Sequence, residues 1–91
     1  MAVTVRIPTP LRKITADKAE VSASGKTVLE VIANLGKTYP ELVARVQDEK
    51  GTLRRFVNFY LNDDDIRDLK GGETPVKDGD TLSIMPAIAG G

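Results

Sequence analysis

Residues 27–36 read TVLEVIANLG, and the interpretation of the fold starts from this stretch. Thr27 and Glu30 have the T-x-x-E spacing of a capping box, which marks the start of a helix. Apolar side chains then recur at helical spacing, at Val28, Val31, Ile32 and Leu35. Gly36 suits the end of the helix. We therefore predict one amphipathic helix with a single apolar face to bury.

Two segments before this helix alternate apolar and polar residues, as half-buried strands do. The first runs from Val3 to Ile7, and the second runs from Ala19 to Ala23. Pro8 and Pro10 end the first strand or mark it as an edge strand, because proline cannot donate to a strand ladder. The polar stretch from Arg12 to Asp17 predicts the loop between them, so the two strands form a hairpin.

Two further strands follow the helix, after a shorter helix or turn that begins at Pro40. The first of these strands covers residues 56–61 and ends in a turn at residues 62–65. The last strand is stopped by Pro86. The strand residues predicted to face the core are Val5, Val57, Phe59, Leu61, Leu82 and Ile84.

The order strand, strand, helix, strand, strand places the chain in the α+β class. One helix covers one face of one sheet and crosses from the first hairpin to the later strands. This arrangement is a ubiquitin-like β-grasp roll with a ββαββ core. A chain of 91 residues has room for one domain. We assign that domain to residues 1–86 and a flexible functional tail to residues 87–91.

Composition excludes several classes of function. The 13 basic and 13 acidic residues balance, which argues against a nucleic-acid binder. The chain has no Cys and no His, so thiol nucleophiles, disulfides, catalytic triads and Cys or His metal sites are excluded. We expect no catalytic site and no metal site, and therefore a protein that is not an enzyme. Without an apolar membrane-spanning run or a signal-peptide pattern, we expect a cytoplasmic location and no membrane partner.

The acidic run Asp63-Asp64-Asp65 is considered as a cation site. It lacks the alternating acidic spacing and the distant glutamate of a calcium loop. The run is therefore expected to be a solvated turn.

The mixed face of the third strand carries Phe56 and Tyr60. Met85 joins this face if Leu82 and Ile84 point inward. Exposed aromatic side chains and a methionine on one face predict a partner-binding patch. The alternative is that these are scattered apolar residues, which are normal on protein surfaces.

The tail Pro86-Ala87-Ile88-Ala89-Gly90-Gly91 ends in two glycines. Glycine has no Cβ, so an extended Gly-Gly end can enter a narrow channel. No side chain then blocks attack at the carboxylate of Gly91. The six residues reach about 20 Å when extended. A folded body with such an arm is typical of a carrier.

These features together resemble the MoaD/ThiS family of ubiquitin-like sulfur carriers, along nearly the whole chain. The motifs that carry the resemblance are Ile7-Pro8-Thr9, Val21-Ser22-Ala23-Ser24-Gly25, Arg55-Phe56-Val57-Asn58, Asn62-Asp63, Asp78-Gly79-Asp80 and the Gly-Gly tail. Within the family, the stretch from Arg55 to Arg67 is most similar to the carriers that serve cysteine biosynthesis.

The resemblance implies a mechanism in which other enzymes act on the tail. An E1-like adenylyltransferase/sulfurtransferase, using ATP and Mg, adenylates the carboxylate of Gly91. Sulfide or a persulfide then displaces AMP and leaves a thiocarboxylate. In the cysteine pathway, the thiocarboxylate attacks an aminoacrylate held on pyridoxal phosphate by a cysteine synthase. A metalloprotease then releases cysteine.

Three alternatives remain open at this point. The same chemistry serves molybdopterin, thiamine or tRNA thiolation in other members of the family. A related protein modifier joins its terminal glycine to lysines of other proteins. A plain ubiquitin-fold interaction module would carry the two glycines by chance.

Overall fold

The computed structural model describes residues 2–54 and 57–86. The strands within them are β1 (Ala2–Arg6), β2 (Glu20–Ser24), β3 (Val57–Leu61), β4 (Asp64–Asp65) and β5 (Thr81–Pro86). The α-helices are α1 (Val28–Leu35) and α2 (Pro40–Val46). Short 3₁₀ helices lie at Thr9–Leu11, Ile66–Asp68 and Gly71–Glu73. Neither α-helix has the length and apolar character that crossing a bilayer requires.

The strands form one mixed sheet in the order β2-β1-β5-β3-β4. The β1–β2 hairpin is antiparallel, β5 pairs parallel with β1, and β5 pairs antiparallel with β3. Val5 therefore lies opposite Leu82, and Phe59 lies opposite Ile84. The last strand of the chain occupies the centre of the sheet. The predicted α+β class and β-grasp topology are confirmed.

The start of α1 is fixed by the predicted pair of side chains. The backbone N–H of Glu30 donates to Oγ1 of Thr27 at 3.2 Å. Oε1 of Glu30 accepts in turn from the backbone N–H of Lys26 at 3.2 Å. The reciprocal bond thus reaches one residue further back than in the standard capping box. The bond from Glu30 satisfies an N–H group that the first turn of a helix leaves without a partner, and the bond from Lys26 holds the residue before the cap in place.

Gly36 lies at the end of α1 as predicted, but not because a left-handed backbone conformation requires glycine there. This residue is the C-cap, but its φ of −64° is right-handed and open to any residue. A Cβ at this position would lie 2.9 Å from Cγ2 of Val43. Gly36 is therefore suited to the close approach of α2 rather than to a left-handed stop.

All ten predicted core residues are buried on the helix-facing side of the sheet. Six further apolar residues complete this core: Val3, Ile7, Leu42, Val46, Ile66 and Val76. Two buried threonines were not predicted. Oγ1 of Thr15 donates to the carbonyl of Lys18 at 3.0 Å, and Oγ1 of Thr74 donates to the carbonyl of Gly71 at 2.7 Å. These bonds offset the cost of burying the hydroxyls.

The acidic run is not wholly a turn, so that prediction was wrong in part. Asp64 and Asp65 form β4 and pair with Leu61 and Tyr60. Asn62 has a φ of +58°, a left-handed conformation that asparagine adopts more readily than most residues. The chain consequently reverses within two residues and adds a short edge strand.

Candidate functional site

The chain leaves the sheet at the end of β5, between β1 and β3. Pro86 stands opposite Val57, where β3 begins. The predicted thiocarboxylate-forming residue Gly91 and the tail residues Ala87–Gly90 lie outside the described residues. Five residues beyond Pro86 can extend about 17 Å from the end of the strand. The exit point is therefore fixed by two neighbouring strands, and the reach of the tail is set by its length.

Two of the three predicted partner-binding residues lie on the outer face of the sheet. Tyr60 is half-buried and stands opposite Ser83. Met85 is 53% exposed and stands opposite Asn58. Tyr60 and Met85 are therefore diagonal neighbours across two strands, about 7–8 Å apart. Phe56, the third candidate, lies outside the described residues.

The rest of the outer face is polar. Along one row the register brings together Glu20, Arg6, Ser83, Tyr60 and Asp65, one from each strand. Nε of Arg6 lies 3.8 Å from Oε2 of Glu20, with both side chains more than half exposed. This face can offer a partner one aromatic ring and one thioether within a surface of hydroxyls and charges.

The aspartate-rich motifs hold loops in place. Oδ1 of Asp78 accepts from the N–H of Ala2 at 2.8 Å, and Oδ2 of Asp80 accepts from the N–H of Lys77 at 2.8 Å. Oδ1 of Asn62 accepts from the N–H of Thr81 at 3.1 Å. These contacts gather at one end of the sheet, where β1 and β5 begin and β3 ends. Among the described residues, no three acidic side chains group together in a way that could hold a metal ion.

A cleft that no sequence motif predicts opens between α1, the loop before β3 and the 3₁₀ helices after β4. Its lining includes Leu29, Lys50, Arg54, Val57, Ile66 and Arg67. The lining residues come from separate segments, which explains why the sequence pattern does not reveal it. Val57 also faces Pro86 across the ladder, so the cleft and the exit of the tail lie at the same end of the sheet.

Comparison with known proteins identifies the family. The model of the ThiS family matches residues 5–91. The chain belongs to the ThiS family. The sulfur carrier protein CysO of Mycobacterium tuberculosis is 47% identical over 93 aligned residues, with 100% of both chains covered. The ThiS-family membership and the sulfur-carrier function predicted from the sequence are confirmed.

Solved structures agree with this assignment. A chain in the BexX/CysO complex of Amycolatopsis orientalis is 49% identical and superposes with a TM-score of 0.90, covering 98% of this ThiS-family chain and 99% of that one. The small archaeal modifier protein 1 of Methanosarcina acetivorans is 33% identical, with a TM-score of 0.84 and coverages of 99% and 96%. The neighbours thus include both carriers and a modifier.

Proposed function

We propose that this ThiS-family protein carries sulfur as a thiocarboxylate on Gly91 and delivers it for cysteine biosynthesis. The observation that carries the proposal is the match to the family through residue 91, together with a Gly-Gly end that follows the central strand. The alignment with the mycobacterial CysO covers both chains in full, which supports the same register at the tail.

Each step needs a partner, because this chain has neither Cys nor His to do chemistry. An E1-like enzyme with bound ATP and Mg joins the carboxylate of Gly91 to AMP and releases pyrophosphate. Sulfide then attacks the acyl carbon, displaces AMP and leaves the thiocarboxylate. With a persulfide donor, the same attack leaves an acyl disulfide, and a thiol of the partner enzyme must cleave its S–S bond, forming a disulfide, to free the thiocarboxylate. The thiocarboxylate attacks an acceptor on a cysteine synthase that holds pyridoxal phosphate, and a metalloprotease frees the cysteine. We propose that these steps take place in the cytoplasm.

The predicted division of the molecule into a folded body and an arm fits this proposal. Residues 1–86 form the part that a partner grips, and residues 87–91 form the part that enters its active site. Tyr60 and Met85, with Phe56, are the proposed contacts for the gripping surface. A relative in complex with BexX shows that CysO of Amycolatopsis orientalis binds another protein.

The test is to incubate the full chain and a Gly91 deletion with the activating enzyme, ATP and sulfide, and to weigh the products. The full chain should exchange one oxygen for sulfur, and the deletion should not. Both should melt at nearly the same temperature, because a terminal residue contributes little to packing. Gly91→Ala is the matched control and should retain partial activity. A deletion that gains sulfur as fast as the full chain would overturn the proposal.

Protein modification is the second candidate, favoured by the 33% identity to an archaeal modifier protein. In that case Gly91 would form isopeptide bonds with lysines. Intact-mass and immunoblot analysis of the protein in its own cells would show a ladder of conjugates that disappears with the Gly91 deletion. Oxygen-to-sulfur exchange without such a ladder would leave the carrier function alone.

A further inference from the structure

The two edges of the sheet differ in how much backbone they present. β4 has two residues and turns into a 3₁₀ helix at Ile66, so it offers almost no ladder. β2 has five residues in unbroken register with β1, from Glu20 to Ser24. Edge strands with a continuous row of outward N–H and C=O groups can pair with another chain.

The hydrogen bonds identify which groups of β2 face outward. The N–H of Ile7 donates to the carbonyl of Ala19 at 2.7 Å, so this is a hydrogen-bonded pair. In an antiparallel ladder such pairs alternate with non-bonded pairs. Val21 and Ala23 therefore direct their backbone groups to β1. Their side chains point to the helix side of the sheet, where both pack against the core.

The intervening residues Glu20, Ser22 and Ser24 consequently direct their backbone groups away from β1. Nδ2 of Asn34 donates to the carbonyl of Ser24 at 2.6 Å, which shows that a donor can reach this edge. Within the described part of the chain, no strand lies beyond Glu20 and Ser22. Their N–H and C=O groups are placed to form ladder bonds with an added strand.

The usual devices that block an edge are missing from β2. Its sequence EVSAS contains no proline, and its register shows no bulge. Its single charged side chain, Glu20, faces the outer surface and pairs there with Arg6. Among the residues of β2, therefore, none directs a charged side chain to the helix side.

A groove runs beside this edge, between β2 and the end of α1. Val21, Ala23, Leu35 and Tyr39 supply its apolar part. Two exposed lysines, Lys18 and Lys37, also line it, together with Glu20, whose carboxylate pairs with Arg6. A strand paired with β2 would place every second side chain in the groove. The two ends of that strand would lie within reach of the ammonium groups of Lys18 and Lys37.

We propose that the β2 edge and this groove bind an extended segment of a partner protein, by strand addition. The segment has small or β-branched apolar residues at alternate positions and carboxylates at its ends. Backbone bonds to Glu20 and Ser22 supply affinity, and the groove with its two lysines supplies specificity. The site uses no residue of the tail, so the proposal stands whether or not the tail carries sulfur.

The experiment uses the full chain, labelled with ¹⁵N, and an acetylated and amidated peptide of alternating valine and threonine with two aspartates at each end. Ser22→Pro removes an outward N–H without breaking the β1 ladder, because proline is tolerated on an edge. Ser22→Thr keeps the N–H and is its matched control. Lys37→Glu tests whether the positive charge of Lys37 selects the acidic ends of the peptide. It is compared with the unchanged protein, using the aspartate peptide and a second peptide that carries lysines in place of the aspartates.

The peptide should shift amide resonances of residues 19–24 and of Lys37. Ser22→Pro should weaken binding about tenfold, the equivalent of a lost hydrogen bond, while Ser22→Thr stays within about twofold. Lys37→Glu should reverse the preference between the two peptides. Equal affinity for the two Ser22 variants, or shifts confined to the outer face, would overturn the proposal, as would no binding at millimolar peptide.

Two further experiments address the case in which Ser22→Pro does not fold and the case in which the edge binds a second copy of this chain. If circular dichroism shows that Ser22→Pro does not fold, the test is made with the unchanged protein and peptides methylated on alternate amide nitrogens. Methylation of the amides that face β2 should abolish binding, and methylation of the amides on the opposite edge of the peptide should not. Equal binding of both methylated peptides would overturn strand addition. Sedimentation that shows dimers in Ser22→Thr but not in Ser22→Pro would assign the edge to a second copy, and the partner segment would be rejected.

Discussion

The core face and the outer face of the sheet take alternate residues of the same strands. On β5, Leu82 and Ile84 are fully buried, whereas Met85 beside them is exposed. On β3, Phe59 is buried, and Tyr60 next to it is only half-buried. Because the side-chain period of a strand is two, stability and recognition occupy neighbouring positions in the chain. Substitutions at adjacent residues should therefore affect different properties.

The largest effect is expected on the core face. Phe59→Ala should lower the free energy of unfolding by about 3–5 kcal/mol, because it removes a fully buried ring from between α1 and the sheet. Urea denaturation followed by circular dichroism measures this loss. Phe59→Leu should lose much less. A loss below about 1 kcal/mol for the alanine variant would mean that the two faces do not differ as described.

On the outer face, substitutions are expected to weaken partner binding more than they lower the free energy of unfolding. Tyr60→Ala should weaken binding to the activating enzyme by about 2 kcal/mol, the cost typical of a central aromatic contact. Its unfolding free energy should fall by less than that of Phe59→Ala. Titration calorimetry gives the affinity, and Tyr60→Phe, which keeps the ring, serves as the control. Unchanged affinity for every partner would make Tyr60 an ordinary surface residue.

The helix that covers the core face depends on its cap as well as on packing. Thr27→Ala removes the acceptor for the N–H of Glu30 and should cost about 1 kcal/mol of unfolding free energy. Thr27→Ser keeps the acceptor and should cost a fraction of that. Thermal denaturation of the three proteins checks the order. Equal losses for the alanine and serine variants would show that packing alone holds α1.

The smallest effect is expected at the ion pair on the outer face. Arg6 and Glu20 are 64% and 59% exposed, so water and salt screen their attraction. Arg6→Ala should change the unfolding free energy by less than about 0.5 kcal/mol. Denaturation at low and high salt measures it. A loss above about 1 kcal/mol that vanishes in salt would give the outer face a larger part in stability than its exposure indicates.

Alternation and capping patterns predicted much of the fold. They located the core residues from Val5 to Ile84 and the start of α1 at Thr27, because each depends on spacing within one segment. They also placed Met85 on the exposed side. β4 escaped prediction, since a strand of two residues is too short to show a period. The burial of Thr15 and Thr74 was not predicted, because only the folded turns provide carbonyls for their hydroxyls.

Features that depend on distant segments could not be read from the pattern. The parallel pairing of β1 with β5 joins residues that lie far apart in the chain. The cleft beside Val57 and the groove beside Val21 are each assembled from several elements. Of the candidate site, Tyr60 and Met85 were placed on a shared face, while Phe56 and the tail from Ala87 to Gly91 lie outside the described residues and remain predictions.

The central position of β5 has a mechanical consequence. In the proposed function, an enzyme that drew the tail into its channel would apply tension to the chain at Pro86. That tension runs along β5, which is bonded to β1 on one side and to β3 on the other. The hydrogen bonds of β5 run across the direction of the pull, so they are loaded together and must break at the same time. In a strand pulled sideways off the edge of a sheet, the hydrogen bonds would instead break one after another. We therefore expect β5 to resist a pull on the tail better than a strand at the edge of the sheet would.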